Sequence, residues 1–70
     1  MRMGLKLFRV SKNLTQEEMA EKAGVTRAVY SNIERARNDG SPKFWETLQK
    51  AFDIQDEHMY ALIKIMEVEK

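Results

Sequence analysis

Apolar residues recur at helical spacing in five stretches of the chain, and no stretch reads as a convincing strand. The spacing predicts helices over about residues 3–12, 16–23, 27–35, 43–52 and 56–68. In the first, Leu5, Phe8 and either Met1 or Met3 are expected to face a core. In the second, Met19, Ala20 and Ala23 form one apolar face, with Gln16, Glu17, Glu21 and Lys22 left in water. The third offers Val29 or Tyr30, then Ile33, with the edge of Val25 beside them. The fourth sends Phe44 or Trp45, Leu48 and Phe52 inward. Trp45 reads as core rather than as a platform for stacked bases, since so large a side chain on a short helix carries most of its value in burial.

The last helix holds more apolar residues than one buried face needs. Met59, Leu62, Ile63 and Met66 follow i, i+3, i+4, i+7, while Ala61, Ile65 and Val68 make a second stripe at i, i+4, i+7. A small domain cannot bury both, so the second stripe is expected to meet its two-fold mate in a homodimer. The competing expectation is an apolar helix that frays at its end.

Between these faces lie specific start and stop signals. Thr15 and Glu18 form a capping box: the threonine hydroxyl accepts from the amide three residues on, and the glutamate reaches back. Gly24 suits the left-handed residue that ends a helix. Thr26 is a second N-cap, and Pro42 fits a first helical turn. Residues 14–34 therefore read as two short helices joined by a tight turn, the layout of a helix that braces on a DNA backbone followed by one that enters a groove.

The run LTQEEMAEKAGV from Leu14, followed by T-R-x-x-Y-S-N-I-E-R from Thr26, resembles the Cro and C1 repressor type of helix-turn-helix proteins, the XRE family. Ser41-Pro42-Lys43-Phe44-Trp45, then Leu48, Ala51-Phe52 and Ile54, looks like the fourth helix of the phage repressor domains in that family. The resemblance covers roughly residues 3–62. It implies an all-α, five-helix, lambda-repressor-like DNA-binding domain with its helix-turn-helix at the second and third helices. It places Gln16, Arg27, Ala28 and Asn32 at positions that face base edges. Their chemistry suits this: Arg27 can donate to O6 and N7 of guanine, Asn32 or Gln16 can pair with adenine, and the Ala28 methyl can touch that of thymine. A phosphate contact or a solvated charge is the alternative for Arg27, and a plain surface amide for Asn32. Arg37, Lys43 and Ser31 are expected on phosphates, with Thr26 sharing that duty beside its cap and the amide end of the second helix near Gln16 adding an anion site. The family also pairs an arginine and a glutamate at the positions of Arg9 and Glu34, implying an ion pair that ties the first helix to the recognition helix. Departures from the pattern are Asn13 and Asp53, where glycine is usual and where both residue types tolerate a left-handed backbone. Ala36 also stands where glycine is usual, and the Asn38–Ser41 loop is slightly long, leaving the path after the recognition helix open.

Composition narrows the function classes. Seventy residues without cysteine form one small domain, residues 1–70, that must hold itself together by packing, with the last helix as its dimerisation element. The net charge is only +1, but residues 1–43 hold nine Lys or Arg against five Asp or Glu, and residues 44–70 three against six. The basic half contains the helix-turn-helix, as a phosphate-facing surface would. A single histidine, His58, and no cysteine argue against a metal site or a Cys-His pair, and Glu17-Glu18 and Asp56-Glu57 are explained by the helix dipole. No catalysis, cofactor or small-molecule ligand is expected. MRMGLKLFRV lacks the continuous apolar core of a signal or membrane span, pointing to a cytoplasmic protein, nucleoid-associated when bound to DNA. With no effector domain after the helix-turn-helix, regulation is expected through concentration, dimerisation or a separate protein. The leading expectation is a repressor that binds a near-palindromic operator in double-stranded DNA as a homodimer. The alternative is an antitoxin-like interaction module whose last helix holds an unrelated protein. Activation differs only in where the site lies relative to a promoter.

Overall fold

Three of the helices begin at a side chain that replaces a missing backbone partner. The computed structural model describes residues 1–65. Within them lie five helices: α1 (Met3–Ser11), α2 (Gln16–Ala23), α3 (Arg27–Glu34), α4 (Pro42–Phe52) and α5 (Asp56–Ile63). The Thr15 hydroxyl accepts from the Glu18 amide at 3.1 Å, while a Glu18 carboxylate oxygen accepts from the Thr15 amide at 2.9 Å. Thr26 caps α3 by accepting from Val29 N–H at 3.2 Å, and Ser41 caps α4 by accepting from Phe44 N–H at 3.0 Å, with Pro42 in the first turn. Gly24 takes φ 75°, and Asn13 and Asp53 take φ 60° and 53° at the ends of α1 and α4. Gln49 bridges α4 to α5, its amide donating to Ile54 O at 2.8 Å and Asp56 Oδ1 at 2.6 Å.

The core is Leu5, Met19, Ala20, Ala23, Tyr30, Ile33, Phe44 and Leu48, with Phe8, Leu14, Val25, Trp45 and Phe52 packed against it. α2 packs on α3 and α4, while α1 packs on α3 and carries α5 through buried Met59 and Leu62. Phe8 and Phe52 meet edge to face, ring centroids 5.2 Å apart. Of the paired sequence alternatives, Tyr30 is buried and Val29 exposed, and Phe44 is buried while Trp45 is half-buried.

Three expectations are corrected. Met1 and Met3 are both exposed, and Arg2 is buried in their place, because its guanidinium has carbonyl partners that a methionine would leave unpaired. Ile63 is exposed rather than part of the buried stripe. α5 ends at Ile63 instead of near residue 68: Arg2 Nε takes the Ile63 carbonyl at 2.7 Å, and Lys64 leaves helical geometry at φ −59°, ψ 137°. Ile65 therefore does not continue a helical stripe from Ala61, although both are exposed. Met66 and Val68 lie outside the described residues.

Ala36 resolves the path after the recognition helix. It turns left-handed at φ 66°, a conformation that costs a residue with a Cβ about 1–2 kcal/mol. Part of that is recoverable, since glycine loses more entropy on folding. Ala36→Gly is expected to raise the urea midpoint by a gain of about 1 kcal/mol; an unchanged or lower midpoint would contradict the left-handed backbone at this residue.

Candidate nucleic-acid interface

α3 has two faces of opposite character. Tyr30, Ile33 and Glu34 are buried, at i, i+3 and i+4. Ala28 and Asn32 are exposed on the opposite arc, Arg27 is exposed in the first turn of the helix, and half-buried Ser31 lies between them. Among the described residues, no side-chain hydrogen bond or ion pair engages Arg27 or Asn32. Thr26, Arg35, Arg37 and Lys43 are exposed on the segments flanking α3. The outer face is thus cationic at both ends, with small and amide side chains between, a mix that can meet phosphates at its edges and base edges at its centre.

The inner face is anchored by one carboxylate. Glu34 is 1% exposed. Its Oε2 accepts from Arg9 Nε at 2.9 Å and from the Tyr30 hydroxyl at 2.8 Å, and its Oε1 from Gln16 Nε2 at 3.0 Å. Arg9 also donates to Leu14 O at 2.9 Å, so the guanidinium clasps the turn into α2. Burial pushes the Glu34 carboxyl upward, but the hydrogen bonds from Arg9, Tyr30 and Gln16 outweigh it and hold the group below the ordinary carboxylate range. The bond to Glu34 raises the Arg9 pKa, and burial followed by the bond to Glu34 raises that of Tyr30. One carboxylate thereby fixes α1, the start of α2 and the rotation of α3 about its axis. Which residues of α3 face outward follows from that rotation.

The geometry brings Arg27, Ala28 and Asn32 onto one open surface, with Thr26 and Ser31 alongside. Gln16 differs: it is half-buried, and one of its amide hydrogens is committed to Glu34. This bond orients the Gln16 amide, whose carbonyl oxygen and second N–H remain for other partners. Arg37 and Lys43 border the α3–α4 loop, whose path is set by the Arg37 and Asn38 amides, both donating to Asn32 O at 2.8 and 3.2 Å.

Sequence reasoning missed the network around Arg2. A signal existed: Arg2 precedes Leu5 by three positions, so a helix starting here places the arginine on the buried side, just as Arg9 follows Leu5 by four. Arg35, exposed at the end of α3, was likewise not singled out among the candidate contacts.

A capped helix, a glycine turn and a second capped helix with a free outer face define a helix-turn-helix DNA-binding domain. A family model described as helix-turn-helix matches residues 5–59. The chain is 37% identical over 60 residues to an uncharacterized HTH-type transcriptional regulator of Methanocaldococcus jannaschii, an alignment spanning 86% of this chain and 91% of that protein. No solved structure matches it significantly. The chain belongs to the Cro/C1-type, or XRE, helix-turn-helix family of DNA-binding transcriptional regulators, and its five helices form the lambda-repressor-like all-α domain. This is not an enzyme class. Among the described residues no helix is long and apolar enough to cross a membrane.

Proposed function

We propose that the protein is a repressor that binds a near-palindromic operator as a homodimer, one α3 entering the major groove of each half-site. The observation carrying this reading is the contrast between the two faces of α3: Glu34 locks the inner one, and Arg27, Ala28 and Asn32 stand exposed on the outer one. Arg27, Ala28 and Asn32 read base edges, with Gln16 reaching the groove from the start of α2 in the orientation Glu34 imposes. Thr26, Ser31, Arg37 and Lys43 meet phosphates. The dimer forms through exposed apolar residues at the end of α5 and just after it, where Tyr60 is 72% and Ile65 46% exposed and Ala61 is exposed as well. An α5 that stops at Ile63 makes this contact a compact patch rather than a long helical seam.

Selection from random duplex DNA by the purified protein at near-physiological salt, read by sequencing, tests the proposal. Enrichment of a two-fold symmetric motif with half-sites about one helical turn apart, roughly 34 Å, is expected. Salt-sensitive binding with no enrichment would instead favour an antitoxin-like module whose α5 patch holds an unrelated protein. Single residues should then separate into two classes. Arg27→Ala is expected to relax specificity at one base pair, by about 1–3 kcal/mol. Lys43→Ala should weaken every sequence alike and lower the salt slope by about one. Equal losses on all sequences for Arg27→Ala would move Arg27 to the phosphate class.

A further inference from the structure

We propose that Arg2 couples the end of α5 to the loop that follows the recognition helix, and so acts as a positioning residue for DNA binding rather than a DNA contact. Its effect on DNA rests on the reading above; the coupling itself does not. Arg2 is 3% exposed, and its guanidinium makes four hydrogen bonds, all to backbone carbonyls. Nη1 donates to Ile33 O at 2.7 Å in the last turn of α3 and to Asn38 O at 3.0 Å. Nη2 donates to Asp39 O at 3.3 Å, and Nε to Ile63 O at 2.7 Å, the last carbonyl of α5. The Arg2 amide adds a bond to Glu34 O at 2.9 Å.

Two helix C-termini therefore converge on one cation. The last carbonyls of a helix carry the negative end of its dipole and lack intrahelical donors, so each end gains from the guanidinium, and the buried charge gains from both. A second side chain holds the loop. Trp45 lies across it, its ring centroid 5.4 Å from Arg2 Cζ and its indole N–H donating to Asp39 O at 3.1 Å. Gly40, at φ 78°, rests against the same ring, where a Cβ would stand 2.8 Å from Nε1. Residues 38–40 are thus tied to Arg2 and Trp45 together, which share the Asp39 carbonyl. Arg37 and Lys43 flank that segment, so its position sets where their charges meet a phosphate backbone. A lysine cannot replace this arrangement, because one ammonium cannot reach carbonyls spread around a planar fork.

The coupling is tested first without DNA, by amide hydrogen exchange on the full chain. Lys64→Pro removes the bond from Lys64 N–H to Tyr60 O, 3.0 Å in the native chain, and loosens the end of α5 without touching the loop. Exchange at the Arg37 and Asn38 amides should then quicken about three- to ten-fold relative to the α2 amides, which report global opening. In an Arg2→Gln background the same change should add nothing at the loop. Loop amides indifferent to Lys64→Pro in the otherwise native chain overturn the coupling, whether or not Arg2→Gln folds. Binding to a mixed-sequence duplex across several salt concentrations provides the second arm. Arg2→Gln should weaken binding by the folded protein about ten-fold with an unchanged salt slope. An unchanged affinity, or a slope reduced by about one, overturns the positioning role. A native protein that binds no duplex while its loop still responds to Lys64→Pro would overturn the DNA-binding reading alone.

Discussion

Glu34→Ala should leave little folded protein under conditions in which the native chain is folded. Removing one member of a buried charge pair costs about 3–5 kcal/mol, because the partner is left without compensation. Here it also strands the Tyr30 hydroxyl and the Gln16 amide. A core of this size rarely supplies more than about 3–5 kcal/mol in total. Helical circular dichroism with urea titration is the direct measurement, and a loss under about 1 kcal/mol would show the network to be expendable. Glu34→Gln gives the finer test, since it keeps the shape and removes the charge. The carboxyl titrates below its ordinary range when folded, so its contribution is fully present above the unfolded value, about 4.3, and is lost as pH falls through the folded one. The native protein should therefore lose stability on acidification through and below about pH 4 more steeply than Glu34→Gln. Superimposable acid limbs would mean that other carboxylates carry the pH dependence. Because Glu34 also sets the rotation of α3, folded Glu34→Gln should lose preference for its best site more than it loses salt-dependent affinity for mixed-sequence DNA.

What the sequence made legible here is local. The Thr15–Glu18 box, the Thr26 cap and Gly24 are decided by neighbours within four residues, and each took the predicted geometry. So did Asn13 and Asp53, where a short polar side chain tolerates the left-handed turn that glycine would take more cheaply. The adjacent choices, Val29 or Tyr30 and Phe44 or Trp45, stayed open because neighbouring residues on a helix lie about 100° apart and either can border a core. Tertiary packing settled them: Tyr30 is buried with its hydroxyl on the carboxylate that Arg9 brings in from α1, and Phe44 enters the core while Trp45 packs against its edge. The end of α5 was illegible for a similar reason. Apolar periodicity continues past Ile63, but a side chain sixty-one positions earlier takes the carbonyl there. No window of local sequence contains that contact. The outward face of α3 was legible through family resemblance, whereas the commitment of Gln16 to Glu34 was not, since it requires the start of α2 to lie against the end of α3.

Gly4 is the position where a single methyl group should do the most damage. It lies inside α1, where alanine would ordinarily add about 1 kcal/mol of helix propensity. Here a Cβ would collide with the Ala61 carbonyl of α5, and its next neighbours are also backbone atoms, Ala61 C and Leu62 Cα. A side chain in the way can rotate; a helix backbone can only move as a body. Overpacking of this kind costs about 1–3 kcal/mol and occasionally more. Gly4→Ala is therefore expected to lower stability by a net of up to about 2 kcal/mol, against the sign that propensity alone gives. Gly24→Ala is the matched comparison. Its φ of 75° penalises any Cβ, but the space is open, the nearest atom being Thr47 Cγ2 at 4.0 Å. It should cost about 1 kcal/mol and leave α5 undisturbed. Urea midpoints rank the two variants, and amide exchange in α5 separates their causes: only Gly4→Ala should expose the turn carrying Met59 and Leu62 while the α2–α3 unit keeps its protection. A Gly4→Ala protein more stable than the native chain would place α5 farther from α1 than described. If α5 also forms the dimer contact, Gly4→Ala should weaken binding to a two-fold operator more than to a single half-site: displacing α5 breaks the contact between protomers, whereas the half-site feels it only through Arg2 and the loop flanked by Arg37 and Lys43.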